Sequence, residues 1–361
     1  MSTIKEVAQL ARVSVGTVSN IISGTSAVSQ ELRQRVEQAI AELNYHPNHI
    51  ARSLKSRRSH TLAIVVSDIT NPFFPLVVRG AEDAASKLGY LLTIFNTDDQ
   101  LAREQQIFSV LRSRRVDGVL VVVTPESGDA THIPDTIAAG IPVVCLDRVP
   151  PKVAADSVLV DNVKGACICV RHLTGMGHRQ IALISGPLKL QTARDRVKGY
   201  RIALREAGVP FDASLLREGD FRFESGYRLA KDLCLLHPRP TAILALNCMM
   251  GTGAYKAVQE LALNMPEEMA LAVFDDVPGN DLLKPQITVV SQPAYDIGFK
   301  ATELLIRRIT NQIPAKQPIS LVLEPELKIR QSTALRVAPL ASGKDVARRT
   351  GPGAGPRRVE Q

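Results

Sequence analysis

From Thr3 to Leu43 the apolar positions recur every three or four residues, in three short runs separated by polar breaks. Thr3 and Glu6 bracket the first run as a capping box, each side chain able to accept the other's unpaired amide. The spacing predicts a helix through Ala11 that buries Ile4, Val7, Ala8 and Ala11. Ser14 caps a second helix with Val18, Ile21 and Ile22 inward, leaving only Arg12-Val13 as the turn, and Gly24 stops it. Ser29 caps a third, in which Leu32, Val36, Ile40 and Leu43 share one face. Two short helices joined by a tight turn and braced by a third make a helix-turn-helix, with a plain three-helix bundle as the alternative. Pro47 then opens a helical stretch through Lys55. About eight residues cannot hold a helix alone in water, so this one is expected to form only when something packs on it.

From Thr61 the pattern changes. Short apolar runs predict strands at 61–66, 91–95, 118–123, 142–146, 157–160, 180–184, 241–246 and 270–274. Between them lie amphipathic stretches at 74–88, 100–114, 163–176, 194–207, 224–236, 251–262 and 294–311. This alternation predicts parallel sheets covered by helices on both faces. Some 277 residues are many for one doubly wound sheet, so two lobes are expected. The predicted divisions are a head at 1–46, a hinge at 47–60, a two-lobed body at 61–337 and a basic tail without apolar periodicity at 338–361. Within the body, 61–160 with 293–320 form the N-lobe, and 161–290 with 321–337 the C-lobe.

Charge sharpens this division. Of the net +8, residues 1–60 carry +4 and 338–361 carry +3, leaving the long body almost neutral. A basic head on a neutral body is the electrostatic footprint of nucleic-acid binding. Arg57 and Arg58 read equally well as phosphate contacts or as a solvated linker. The five scattered cysteines fit neither a disulfide framework nor a zinc site and are expected to be reduced, mostly buried thiols. No run of 18 apolar residues occurs, and charges interrupt the N-terminal segment, so the expected location is the cytoplasm, at the nucleoid, without membrane contact.

Ligands of parallel sheets bind beyond the carboxyl ends of the strands. There the sequence places Asp68, Asn71, Phe73 and Phe74 after the first strand, and Asp147 and Arg148 after 142–146. Arg194 opens a helix after 180–184, and Phe221 lies in a loop. Asn247, Asp275 and Gln292 follow later strands. Aromatic faces beside carboxylates, guanidinia and amides suit a pyranose, whose C–H faces stack while its vicinal hydroxyls take paired hydrogen bonds. An enzyme is the competing class. Asp147 and Asp275 can be imagined as an acid/base pair, but no G-x-S-x-G, P-loop or complete G-x-G-x-x-G motif occurs, and Gly251-Thr252-Gly253 lacks the third glycine. Neither enzymatic activity nor a metal or cofactor is expected. An exported solute-binding protein is a second alternative, against which stands the N-terminal helix-turn-helix.

The stretch TIKEVAQLARVSVGTVSNIISG followed by VSQELRQRVEQAIAELNYHPNHIARSLKS resembles the head of the lactose-repressor (LacI/GalR) family along its whole length. The resemblance implies that the second helix enters the major groove with Val15, Gly16 and Asn20 at the base-contacting positions. It places Thr17, Ser19 and Asn48 on phosphates. Leu54 matches a hinge leucine that wedges into the minor groove, with Ala51 and Lys55 on the same DNA-facing segment. Asn20 has the donor and acceptor needed to read an adenine edge, and Val15 suits a thymine methyl. The body resembles type I periplasmic binding proteins of the ribose-binding sort through NPFF (71–74), LDR (146–148), TARDRVKGY (192–200), DF (220–221), ALN (245–247), FDD (274–276) and SQP (291–293). By that resemblance Asn71, Phe73, Phe74, Asp147, Arg148, Arg194, Phe221, Asn247, Asp275 and Gln292 match sugar contacts. Cys248 stands where the family usually has Asp, which is expected to loosen the backbone around Asn247. Val273 replaces a usual Gly and is expected to narrow the cleft.

The fold class implied is an all-α helix-turn-helix head plus an α/β two-lobed, type I periplasmic-binding-protein-like body with two Rossmann-like parallel sheets. The implied function is a homodimeric repressor on a pseudo-palindromic operator, controlled allosterically by a small sugar, ribose or another pentose first. Hexoses, nucleosides, purines and a phosphoprotein partner stay open as effectors.

Overall fold

A computed structural model describes residues 2–23, 28–45, 58–124, 130–314 and 317–334. The predictions for Gly24, Asn48, Ala51, Leu54, Lys55 and the 338–361 tail lie outside them. No helix among the described residues is long and apolar enough to cross a membrane.

The head contains α1 (Ile4–Leu10), α2 (Val15–Ser23) and α3 (Gln30–Glu42). The capping box forms: the Thr3 amide donates to Glu6 Oε2 at 2.7 Å and the Glu6 amide to Thr3 Oγ1 at 3.4 Å. Ser14 Oγ accepts from the Thr17 amide, and Ser29 Oγ from that of Leu32, so both later helices start where their caps predict. Val7, Ala8, Ala11, Val18, Ile21, Val36, Ala39 and Tyr45 form the core, with Ile4, Ile22, Leu32, Ile40 and Leu43 packed around it. Arg12, at φ 50°, makes the turn, and Arg35 donates to the Ala11 carbonyl at 2.6 Å, tying α3 to it.

The body has two six-stranded sheets. The first contains β1 (Thr61–Val66), β2 (Leu91–Asn96), β3 (Gly118–Val121), β4 (Val143–Leu146), β5 (Asp156–Val160) and β11 (Ser320–Leu323), in the order β11-β5-β4-β3-β1-β2. The second contains β6 (Ile181–Ser185), β7 (Leu216–Glu218), β8 (Ala242–Ala245), β9 (Ala270–Phe274), β10 (Thr288–Ser291) and β12 (Glu326–Lys328), in the order β12-β10-β9-β8-β6-β7. β1 pairs in parallel with both β2 and β3, while β12 closes the second sheet antiparallel to β10. Central strands β3, β4, β8 and β9 are buried throughout, which is why they read as unbroken apolar runs rather than alternating ones. Edge strand β2 is largely exposed despite its apolar sequence.

The helices are α4 (Phe73–Lys87), α5 (Leu101–Arg114), α6 (His132–Ala138), α7 (Asn162–Gly175), α8 (Gln191–Glu206), α9 (Phe223–Cys234), α10 (Cys248–Glu260) and α11 (Ala294–Ile309). One face of the first sheet packs Ala63, Val65, Val119 and Val121 on Phe108 and Leu111 of α5 and Ile133 of α6. In the second sheet, α9 and α10 cover one face and α7 and α8 the other. Contacts group Met1–Asp68, Val77–Val158 and Tyr295–Ser320 into one compact unit, and Ile69–Leu76, Leu159–Ala294 and Leu321–Gln361 into another.

Three expectations need correction. Arg58, half-buried, is more than a solvated linker: its guanidinium donates to the Ile309 carbonyl at the end of α11, 3.1 Å away. Val273 narrows no cleft, because its side chain is in the core against Gly251, where an added Cβ would lie 2.4 Å from Val273 Cγ1. Nor does Cys248 leave Asn247 without support, since the Asn247 side chain accepts from the Met250 amide at 2.9 Å and caps α10. All five cysteines are buried free thiols.

Candidate DNA-reading helix and effector-site residues

On α2 the helical period separates two faces. Val18 and Ile21 point into the head's core, while Val15, Gly16 and Asn20 are exposed, with Thr17 and Ser19 half-buried beside them. Val15 is 40% exposed, an apolar side chain facing solvent at the start of a helix, which fits contact with a thymine methyl. A Cβ on Gly16 would meet nothing closer than Ser14 Oγ at 3.6 Å, so this position leaves room at the helix surface.

In the first unit, Asp147 and Arg148 follow β4. Asp147 adopts φ 64°, and its amide donates to the Val158 carbonyl of β5. Arg148 is buried, with Nη2 on Asp99 Oδ1 at 3.1 Å and Nε without a partner.

In the second unit, Asn71 Oδ1 accepts the Phe73 amide at 3.1 Å and lies 3.7 Å from the Cys248 thiol, which donates to it. Burial in this apolar setting, with Asp275 nearby, pushes that thiol upward and keeps it neutral. Phe73 and Phe74 are both buried, their rings edge to face at 5.2 Å. Phe221 adopts φ 66° and lays its ring over Gly186, whose missing Cβ would fall 2.1 Å from Cζ. Asn247 Nδ2 donates to the Phe221 carbonyl at 2.8 Å. Asn247 thus spends both ends of its amide on holding chain, fixing Phe221 and capping α10. Asp275, at φ 77°, accepts from Gln292 Nε2, while Gln292 Oε1 is buried without a partner. The left-handed φ of Asp147, Phe221 and Asp275 costs side-chain-bearing residues about 1–3 kcal/mol each, a burden that concentrates at ligand clamps.

Arg194 is not brought to this group. It lies exposed within the first turn of α8, donating to the Leu188 and Lys189 carbonyls at 3.0 and 2.7 Å. Two residues on, Arg196 is buried: Nε donates to Asn162 Oδ1 at 2.7 Å, Nη1 to the Leu246 carbonyl at 2.6 Å, and Cζ sits 3.8 Å over the Phe274 ring. Asn162 and Phe274 are likewise buried, so this guanidinium is fixed by neighbours that are themselves fixed. The sequence carried the signal. Ala193, Arg196, Val197 and Tyr200 are spaced as one helical face, and all four are buried.

Among the described residues, four buried side-chain polar atoms have no hydrogen-bond partner: Thr124 Oγ1, His132 Nδ1, Arg148 Nε and Gln292 Oε1. Two belong to residues singled out from the sequence as sugar contacts. Within its own unit each is open to a ligand hydroxyl, which can accept from a guanidinium N–H or donate to an amide oxygen.

Residues 3–48 match the family described as bacterial regulatory proteins, lacI family, and residues 59–322 match periplasmic binding proteins and sugar binding domain of LacI family. The chain is 35% identical to the ribose operon repressor of Haemophilus influenzae over 333 residues, 92% of this chain and 98% of the relative. It is similar in structure to the lac repressor dimer bound to operator and an anti-inducer, with TM-score 0.81 and 27% identity over 92% of this chain and 99% of that one. A LacI family regulator from Enterococcus faecium with bound ribose matches at TM-score 0.68 and 27% identity, covering 76% and 98% of the two chains.

Proposed function

Because the chain belongs to the LacI family of bacterial regulatory proteins, we propose that it is a dimeric transcriptional repressor whose operator affinity is set by a small sugar, ribose or another pentose. The observation that carries the sugar reading is an orphaned buried atom in the second unit, Gln292 Oε1, on a residue just beyond the carboxyl end of β10. The same unit supplies a carboxylate bonded to Gln292 (Asp275), an aromatic ring (Phe221) and a fixed guanidinium (Arg196), the kinds of group a furanose or pyranose requires. Ribose is placed first because a relative named a ribose operon repressor shares a third of its residues with this chain over nearly its full length.

Support for the DNA side is the exposed edge of α2. Val15, Gly16 and Asn20 face outward from a well-packed three-helix head, and Asn20 supplies the bidentate amide that reads adenine. Two heads on one dimer read two half-sites, which makes the operator pseudo-palindromic. The coupling is assigned to the hinge expected from the sequence at 47–60, which joins the head to the body. In this reading Asp147 and Asp275 accept sugar hydroxyls and perform no acid/base chemistry.

The test is calorimetry of the full chain against a panel of pentoses and hexoses, with melting temperature read in parallel. A pentose is expected to bind saturably and, at about a hundred times its Kd, to stabilise the fold by about 2.7 kcal/mol. Arg196→Gln is expected to abolish binding and Arg194→Gln to leave it intact. If no sugar on the panel binds or raises the melting point, the sugar reading fails.

A further inference from the structure

The first sheet also carries an opening at its other edge, away from Asp147 and Arg148. A cavity of about 740 Å³ lies where β3, β4 and β5 begin and where α5, α6 and α11 end. That volume is within the range of small-molecule sites. Ile137, Ile141 and Ile309 contribute to an apolar wall, and among the described residues the charged groups on the lining are Arg58, Arg112, Arg115, Arg308, Asp117 and Asp156. The lining therefore holds two positive charges in excess.

Three of those groups are already consumed. Asp156 takes a bidentate pair from Arg308 at 2.7 and 2.8 Å, and Arg308 also donates to the Pro314 and Gln317 carbonyls. Asp117 is likewise spent, accepting from the Ser59 amide and hydroxyl and from the His60 amide. Following backbone amides cover carbonyls at the three helix ends (Leu111 and Arg112 in α5, Thr136 and Ile137 in α6, Arg307 and Arg308 in α11), and Arg58 covers that of Ile309, so the spare donors belong to Arg112 and Arg115. Arg112 donates to the His132 carbonyl and Thr136 hydroxyl through Nη1 alone, and Arg115 has no side-chain partner among the described residues. A guanidinium offers five N–H donors and no acceptor. What faces this cavity is an excess of donors with a matching excess of charge.

We propose that the cavity is a second ligand site, for a small phosphomonoester with a compact apolar body. A phosphomonoester carries close to two negative charges at neutral pH and three acceptor oxygens, which matches the uncompensated charge and donors. The apolar wall takes the body. The site reaches the head through its tether. Arg58 is the first described residue after the joining segment, and Asp117 fastens the next two, Ser59 and His60. A ligand gripping Arg58 together with Arg112 and Arg115 changes how firmly that tether is held and, by linkage, changes operator affinity.

The probe is phenyl phosphate, titrated into the full chain by calorimetry beside phenol and inorganic phosphate. Saturable binding of phenyl phosphate is expected, stronger than either control, weakened at least about tenfold by Arg115→Gln and again by Arg112→Gln. Arg115 is exposed, so its variant keeps the fold. Ribose is expected neither to compete with phenyl phosphate nor to lose its own effect in Arg115→Gln. No saturable binding up to about 10 mM, equal affinity for inorganic phosphate, unchanged affinity in Arg115→Gln, or competition by ribose would each overturn the proposal.

Discussion

Gly186→Ala is a single methyl placed against the ring that the proposed sugar stacks on. The new Cβ would lie 2.1, 2.3 and 2.4 Å from three ring atoms of Phe221, whereas ordinary contact begins at 3.4 Å. The ring must therefore withdraw by about 1.3 Å, the difference of those distances. It cannot do so freely, because the Phe221 carbonyl is held by Asn247 and its backbone is already left-handed. Overpacking of this kind costs about 1–3 kcal/mol, and if the displacement removes the stacking face, ribose affinity falls about 5- to 150-fold. Calorimetry with ribose on the wild type, Gly186→Ala, Phe221→Leu and the double variant isolates the contact. The glycine substitution should be costly in the wild type and nearly silent once the ring is gone. An unchanged affinity in Gly186→Ala, or the same penalty with Leu at 221, refutes the reasoning.

Further outcomes follow from buried groups. Arg196→Met strands the Asn162 amide oxygen and the Leu246 carbonyl, and about 1–3 kcal/mol of unfolding free energy should disappear in a urea titration, alongside sugar binding. Arg308→Met leaves Asp156 charged, buried and without its bidentate partner; a loss of about 3–5 kcal/mol is expected in the same assay, with Arg308→Met/Asp156→Leu recovering most of it. Burial lowers the pKa of His172 and His178, so the folded chain binds fewer protons there than the unfolded chain does. Their contribution is fully present above the unfolded value of about 6.5 and drains as pH falls from there through the lowered folded values. Urea midpoints should therefore drop on acidification below that point, and the drop should shrink in His172→Asn/His178→Asn.

Much of this molecule is legible in its sequence because its strands and helices obey simple periods. The three head helices start at their capping residues, and most buried parallel strands announce themselves as unbroken apolar runs; β10 does not, because its two valines lie between Thr288 and Ser291. Short edge strands such as β7, β11 and β12 do not, since three or four half-exposed residues carry too little pattern. The strand-end residues were visible as a set, yet their roles were not. Asn247 stands in the sequence as a ligand contact, and the structure adds that its amide also holds Phe221 and caps α10, which no sequence pattern shows. Arg194 and Arg196 differ by a 200° turn of the helix, and the apolar spacing of α8 already favoured the second. No sequence pattern reveals the left-handed backbone at Asp147, Phe221 and Asp275, none of which is a glycine.

Repression controlled by a sugar requires a coupling between two binding events. Titrating labelled operator DNA with the full chain, at fixed salt, with and without saturating pentose, measures it directly. The sugar is expected to move operator affinity by about 5- to 150-fold, and operator to move sugar affinity by the same factor. Identical operator affinity in the presence of every sugar that binds the chain would contradict that coupling.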